Sequence, residues 1–164
     1  MKKGILLVLV LGLMVFCVTK DSIAQGGPKL EKIWVSPEVA AGQMLKIYIK
    51  ASAGAADMKW VDVTAKWGGE GVIAENSVSA APIRLGKDAR KELNGYIYFR
   101  TQKAHSGITG TFEVVIEDVK GNPCVPESVP VKIVGKGAKS EKPPSDFQEI
   151  AIGPLMVPPR PVGR

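Results

Sequence analysis

The chain holds one histidine and two cysteines among 164 residues. A Ser-His-Asp hydrolase would have to be built on His105, and no Gly-x-Ser-x-Gly elbow accompanies it. The loop Lys103-Ala104-His105-Ser106-Gly107 reads as an exposed connection, so His105 is expected at the surface. With so few nitrogen and sulfur ligands, a zinc site would need several carboxylates converging from distant segments, and no spacing of that kind is present. Long apolar runs are also scarce: a single segment is apolar enough to enter a bilayer, which excludes a polytopic membrane protein. Aromatic residues make up 6%, charged residues 23% and hydrophobic residues 45%, the composition of one globular domain with extensions.

The apolar segment sits at the N-terminus and reads as an address. Lys2 and Lys3 precede an apolar-or-glycine run, Ile5 to Val18, and Ser22-Ile23-Ala24 places small side chains before a cleavage point. Residues 1–24 are therefore expected to be a signal peptide, and the chain is expected to be exported, to a periplasmic or extracellular space. Spanning needs roughly 20 apolar residues, so a membrane role arises only if the segment stays uncleaved. Cys17 lies inside the run behind the bulky Phe16, which argues against a lipid anchor. Residues 1–24 carry three lysines and one aspartate, so their removal takes the formal charge from +6 to +4. Nucleic-acid binding wants a concentrated basic face, which a nearly neutral exported domain does not offer. Cys124 is left alone, so no intramolecular disulfide forms in a processed chain and the core must hold the fold unaided.

From Pro28 to Val134 the pattern is one of alternation. Strands are predicted over Leu30–Val35, Met44–Ala51, Lys59–Trp67, Tyr96–Thr101, Thr111–Asp118 and Val129–Val134, with a short one at Ile83–Leu85. Ser36-Pro37, Ala41-Gly42, Gly68-Gly69 and Asn94-Gly95 read as turns, the last because both residues tolerate positive φ. Outside the N-terminal run no window of helical length keeps a 3.6 period. About seven short strands, with helices at most minor, predict two antiparallel sheets packed face to face, an all-β sandwich. Its core is expected from Leu45, Ile47, Ile49, Val61, Val63, Ile97, Phe99, Phe112, Val114, Ile116, Val131 and Ile133.

Two motifs carry a resemblance. Gly110-Thr111-Phe112-Glu113-Val114 running into Asp118-Val119-Lys120-Gly121-Asn122 resembles the last hairpin of bacterial immunoglobulin-like modules. Ile33-x-Val35-x-Pro37 with Ala41-Gly42-Gln43 is similar to their first hairpin. The resemblance spans about Lys29–Val134 and implies an immunoglobulin-like β-sandwich, with no function attached. Phe112 stands where many such modules place a tyrosine, and the paired inter-sheet cysteines are missing.

After Val134 the composition shifts. Gly135–Ser145 is rich in Gly, Lys, Ser and Pro, and residues 135–164 are expected as a flexible tail. The tail contains an apolar island, Phe147–Ile152, and the run Pro158-Pro159-Arg160-Pro161. Three readings stay open: a bland spacer, a polyproline ligand at Pro158, Pro159 and Arg160, or an edge strand formed by Phe147, Ile150 and Ile152 on its own sheet or a partner's.

Glu113 and Glu117 share a strand face but stand about 13 Å apart at strand rise. Glycosidase pairs need about 5–9.5 Å. Asp118 and Asn122 are expected to bond their own turn backbone, with a calcium ion as the less favoured reading. Gly135–Ser140 lacks phosphate-loop spacing and leads into Pro143-Pro144. Cys124, between Pro123 and Pro126, is expected to lean towards exposure, with no basic neighbour to activate it.

Trp60 and Trp67 differ by seven positions and so face opposite ways on a regular strand. If Trp67 points inward, Trp60 is exposed beside Asp62, Thr64 and Lys66, a stacking platform for a sugar or an anchor for a protein. If a bulge shifts the register, Trp60 is buried or partly buried, which is the favoured outcome. The reading as a whole is a non-catalytic interaction or structural module of the bacterial cell envelope, with no cofactor or metal, taking envelope proteins or a glycan as partner. A carbohydrate- or small-ligand-binding domain built on Trp60, Asp62 and Thr64 is the alternative.

Overall fold

A computed structural model describes residues 26–69, 76–135 and 137–156. The segment predicted as a signal peptide, and Pro158, Pro159 and Arg160, lie outside the described residues. Among the described residues ten strands form in order: β1 (Lys29–Val35), β2 (Glu38–Ala40), β3 (Met44–Ser52), β4 (Met58–Gly69), β5 (Asn76–Ser79), β6 (Ile83–Arg84), β7 (Glu92–Arg100), β8 (Ile108–Asp118), β9 (Glu127–Val134) and β10 (Ala151–Pro154). They make two sheets. The first runs β1-β3-β7-β10; the second runs β2-β9-β8-β4-β5, with β6 also paired to β4. The fold is an immunoglobulin-like β-sandwich.

Alternation explains the core. Leu45, Ile47 and Ile49 of β3 and Ile97 and Phe99 of β7 point inward from the first sheet. Val61, Val63, Phe112, Val114, Ile116, Val131 and Ile133 meet them from the second. All the expected core residues are buried, joined by Met58, Leu85, Leu93 and Leu155. Phe112 is fully buried and packs edge-on against Trp67, with ring centroids 5.4 Å apart. Gly110 makes room for that indole: a Cβ there would stand 2.8 Å from the Trp67 ring.

Chain direction changes at Ser36-Pro37. Val35 ends β1 in the first sheet and Glu38 opens β2 in the second, where it runs parallel to β9. The Ser36 hydroxyl donates to the Glu38 carbonyl at 2.8 Å, and the Pro37 carbonyl accepts from the Lys132 amide at 2.9 Å. Splitting one strand between two sheets covers part of both edges, where unpaired backbone groups would otherwise invite aggregation.

Asn94-Gly95 is not a turn. Both residues lie inside β7, in register with Lys50 and Ile49 of β3. Their turn-like chemistry serves the C-terminal segment. The Asn94 side-chain amide donates to the Asp146 carbonyl (3.0 Å), and its oxygen accepts from the Gln148 amide (2.9 Å). A Cβ on Gly95 would lie 2.5 Å from the Ile150 carbonyl oxygen, so only glycine admits this approach.

That segment departs from the flexible tail expected over residues 135–164. Beyond Val134, the Glu141 amide donates to the Ser36 hydroxyl oxygen and β10 joins β7 as a parallel edge strand. The Tyr96 amide donates to the Ile150 carbonyl at 2.8 Å, and the Leu155 amide to the Tyr98 carbonyl at 2.7 Å. A few apolar side chains suffice to hold a polar-looking segment when an aromatic surface awaits them. Phe147 is buried against Tyr48 (centroids 5.8 Å), and Leu155 is buried in the core.

Candidate functional site

The outward positions of the two sheets differ in chemistry. On the first sheet, Trp34, Tyr48 and Tyr96 form a tilted aromatic row with centroids 5.4–5.6 Å apart. Phe147 packs on its middle ring, Tyr48, which is buried while Trp34 and Tyr96 stay half-buried, and ion pairs Lys32–Asp146 (2.5 Å) and Lys46–Glu149 (2.7 Å) flank this contact. The Tyr48 hydroxyl donates to Glu149 at 2.5 Å. Burial, reinforced by that carboxylate, pushes Tyr48 up to about 12. The hydrogen bond from Lys46, then the one from Tyr48, hold Glu149 below the usual carboxylate range.

On the second sheet, β4 sends Val61, Val63 and Ala65 inward and Trp60, Asp62, Thr64 and Lys66 outward. A bulge is present, but it lies before Trp60. Met58 pairs with Asp118 and Trp60 already with Glu117, so Lys59 is the extra residue. The bulge therefore turns Met58 into the core and leaves Trp60 on the outer face, half-buried. Arg84 of β6 stands beside it on one side and Glu117 of β8 on the other.

Around Trp60 is an open hollow of ≈ 340 Å³ lined by Trp60, Asp62, Pro82 and Glu117. Asp62 is held above the ordinary carboxylate range by burial first and by the charge of Glu117 second. Among the described residues neither Asp62 nor Glu117 forms an ion pair. Further along the same face the charges are matched: Lys66 binds Glu113 at 3.1 Å. Thr64 sits between, its hydroxyl 3.4 Å from that of Ser79, and does not line the hollow. Pro82 and Glu117 were not legible as neighbours of Trp60; the connection through β6 brings Pro82 in, and β8 register brings Glu117.

The other expected residues fall as follows. Trp67 packs on Phe99, Phe112 and His105, and the His105 ring stacks on it at 5.8 Å. The His105 Nδ1 accepts the Gln102 amide at 3.1 Å. Asp118 is buried and accepts three hydrogen bonds, from the Lys120 and Asn122 amides and the Asn122 side chain. Burial alone would raise it; those donors hold it below its ordinary value. Its oxygens serve the turn, as the backbone-bonding reading expects. Cys124 does not lean outward. It is buried, its amide donates to the Ile116 carbonyl, and its Sγ accepts the Ile116 amide at 3.1 Å. Burial pushes the thiol up, away from nucleophilic use. Phe147 and half-buried Ile152 are taken up by the chain's own first sheet, while Ile150 remains 57% exposed. Among the described residues no group of three or more His, Cys, Asp or Glu side chains is placed to hold a metal ion.

No protein-family model and no curated protein matches the chain. Among solved structures it is similar to Spo0M, the sporulation control protein of Bacillus subtilis, at 9% identity and a TM-score of 0.40. That match covers 67% of this chain and 50% of the other, so the chain spans half the length of Spo0M. It is also similar to the CARDB domain of the PF1109 protein of Pyrococcus furiosus, solved in complex with di-metal ions, at 11% identity and a TM-score of 0.36. The second match covers 71% of this chain and 95% of that domain. At these scores neither likeness carries an argument about function.

Proposed function

We propose that this chain is a non-catalytic interaction module of the bacterial cell envelope, exported by its N-terminal segment, that meets its partner through the outer face of the second sheet. One observation carries the reading. The chain's own C-terminal segment packs Phe147 on Tyr48 of the first sheet, whereas the second sheet leaves an indole half-open beside two carboxylates that form no ion pair among the described residues. Large, rigid aromatic side chains at the centre of an otherwise polar surface are the usual anchors of recognition. Export is supported by Lys2, Lys3 and the apolar run Ile5 to Val18.

The test is Trp60→Ala in the full chain, offered to envelope extract beside the parent chain. Loss of a specific, reproducible partner by a variant that still melts cooperatively supports the reading; identical recovery by both proteins contradicts it. A glycan is the second reading, favoured by a flat ring bordered by Asp62 and Glu117, whose carboxylates accept sugar hydroxyls. Titration with neutral oligosaccharides, read at the Trp60 indole, separates the two.

A further inference from the structure

The hollow beside Trp60 has a chemistry that selects among partners. Its walls are an indole, a proline ring and two carboxylates, and no lysine or arginine lines it. Asp62 and Glu117 line the same hollow, and neither is neutralised by an ion pair among the described residues. The ring itself already gathers cations: the Lys59 ammonium lies 5.5 Å and the Arg84 guanidinium 5.9 Å from its centroid. An aromatic face attracts a cation through its quadrupole, and a partly desolvated carboxylate beside it adds a directed hydrogen-bond acceptor. A neutral sugar would stack on the indole but leave both carboxylates without a counter-charge. A positive side chain supplies one, since Lys59 and Arg84 stand near the ring without pairing with either carboxylate.

We infer that the hollow lined by Trp60, Asp62, Pro82 and Glu117 receives an arginine or lysine side chain from a partner protein, its cation over the indole and between the two carboxylates. This rests on the reading of the Trp60 face as the interaction surface and adds the class of group it takes. An arginine fits best, because its planar guanidinium stacks on the ring while its N–H groups reach carboxylate oxygens on both sides. Thr64 and the Lys66–Glu113 pair lie further along the face and form its polar rim.

The test is a titration of the full chain, followed by the Trp60 indole N–H resonance, with three blocked pentapeptides. Each has one central residue flanked by glycines: arginine, lysine or citrulline, the last being nearly isosteric with arginine but uncharged. Arginine and lysine peptides should move the Trp60 signal, with citrulline at least about tenfold weaker and added salt weakening only the charged pair. The double variant Asp62→Asn, Glu117→Gln should weaken arginine binding by about tenfold or more while melting at or above the parent's temperature. Equal binding of arginine and citrulline, or full binding by the double variant, overturns the inference. If a neutral oligosaccharide or citrulline peptide moves Trp60 as strongly as arginine, the Trp60 face stands as a binding surface while the cation inference fails. If none of the probes moves Trp60 at millimolar concentration, both fail.

Discussion

The two outward faces of this sandwich are built from the same alternating pattern and come to opposite ends. On the first sheet the outward residues of β3 and β7 include Tyr48 and Tyr96, and the chain returns Phe147 to pack on Tyr48 and bury it. On the second sheet the outward residues of β4 are Trp60, Asp62, Thr64 and Lys66, and Trp60 stays half-buried with Lys59 and Arg84 beside its ring and one side open to a hollow. A row of aromatic side chains cannot be left in water without cost, so it recruits its own cover. A single indole among charges can remain open, and an open indole is available for recognition.

The comparison can be broken at several levels, beginning with the core that both faces share. Phe112→Ala should cost about 3–5 kcal/mol in denaturant unfolding, because the ring is fully buried. Unchanged stability would mean that the faces of β8 are reversed and the comparison is void. Next comes the contrast itself. Phe147→Ala should cost about 2–3 kcal/mol, whereas Trp60→Ala should cost about 1 kcal/mol or less, the first ring being buried and the second half-open. Equal losses would erase the distinction between a sealed and an open face. Gly95→Ala should cost about 1–3 kcal/mol through its clash with the Ile150 carbonyl, read as faster hydrogen exchange at Leu155 and Tyr96.

The smallest effects are in pH, and they run in opposite directions. Glu149 has its folded pKa lowered, so its contribution to the cover is present above its ordinary value near 4.5 and is lost as pH falls through the folded value. Asp62 has its folded pKa raised, so its contribution is present below its ordinary value near 3.8 and is lost as pH rises through the folded value. Acid therefore loosens the first face and relieves the second. At the alkaline end the raised Tyr48 loses its contribution as pH climbs from 10 to about 12. Carboxyl carbon shifts of Glu149 and Asp62, followed in one NMR titration, should show the two midpoints displaced to opposite sides of ordinary values; displacement to the same side would contradict the account.

Much of the fold is legible because a period of two is hard to disguise over strands of seven or more residues. Leu45-Ile47-Ile49 and Phe112-Val114-Ile116 identify their strands and inner faces directly. The strands that escape notice, β2 and β5, have three and four residues, too few for a period to show, and β10 is legible only as one of three readings of the C-terminal segment. Asn94-Gly95 misleads because turn propensity and close backbone approach ask for the same residue types. The alternation Leu93, Gly95, Ile97, Phe99 was the better guide, since it runs through the pair without a break. The docking of the C-terminal segment depends on Tyr48 and Phe147, which are 99 positions apart in the chain. At the candidate site, Trp60, Asp62 and Thr64 are readable from one strand. Pro82 and Glu117 come from other segments, and their arrival depends on pairing and on the bulge at Lys59, which local pattern does not reveal. Cys124 misleads for a similar reason: its flanking prolines suggest an open loop, but the cysteine amide and sulfur bond to β8.

Hydroxyl-radical footprinting of the full chain, with oxidation rates read residue by residue by mass spectrometry, tests the central claim most directly. The account predicts that Trp60 is oxidised several-fold faster, relative to its intrinsic reactivity, than Tyr48 and Phe147 in the same sample. Protection of Trp60 equal to that of Tyr48, or rapid oxidation of Tyr48 and Phe147, would contradict a molecule that closes one face with its own chain and keeps the other for a partner.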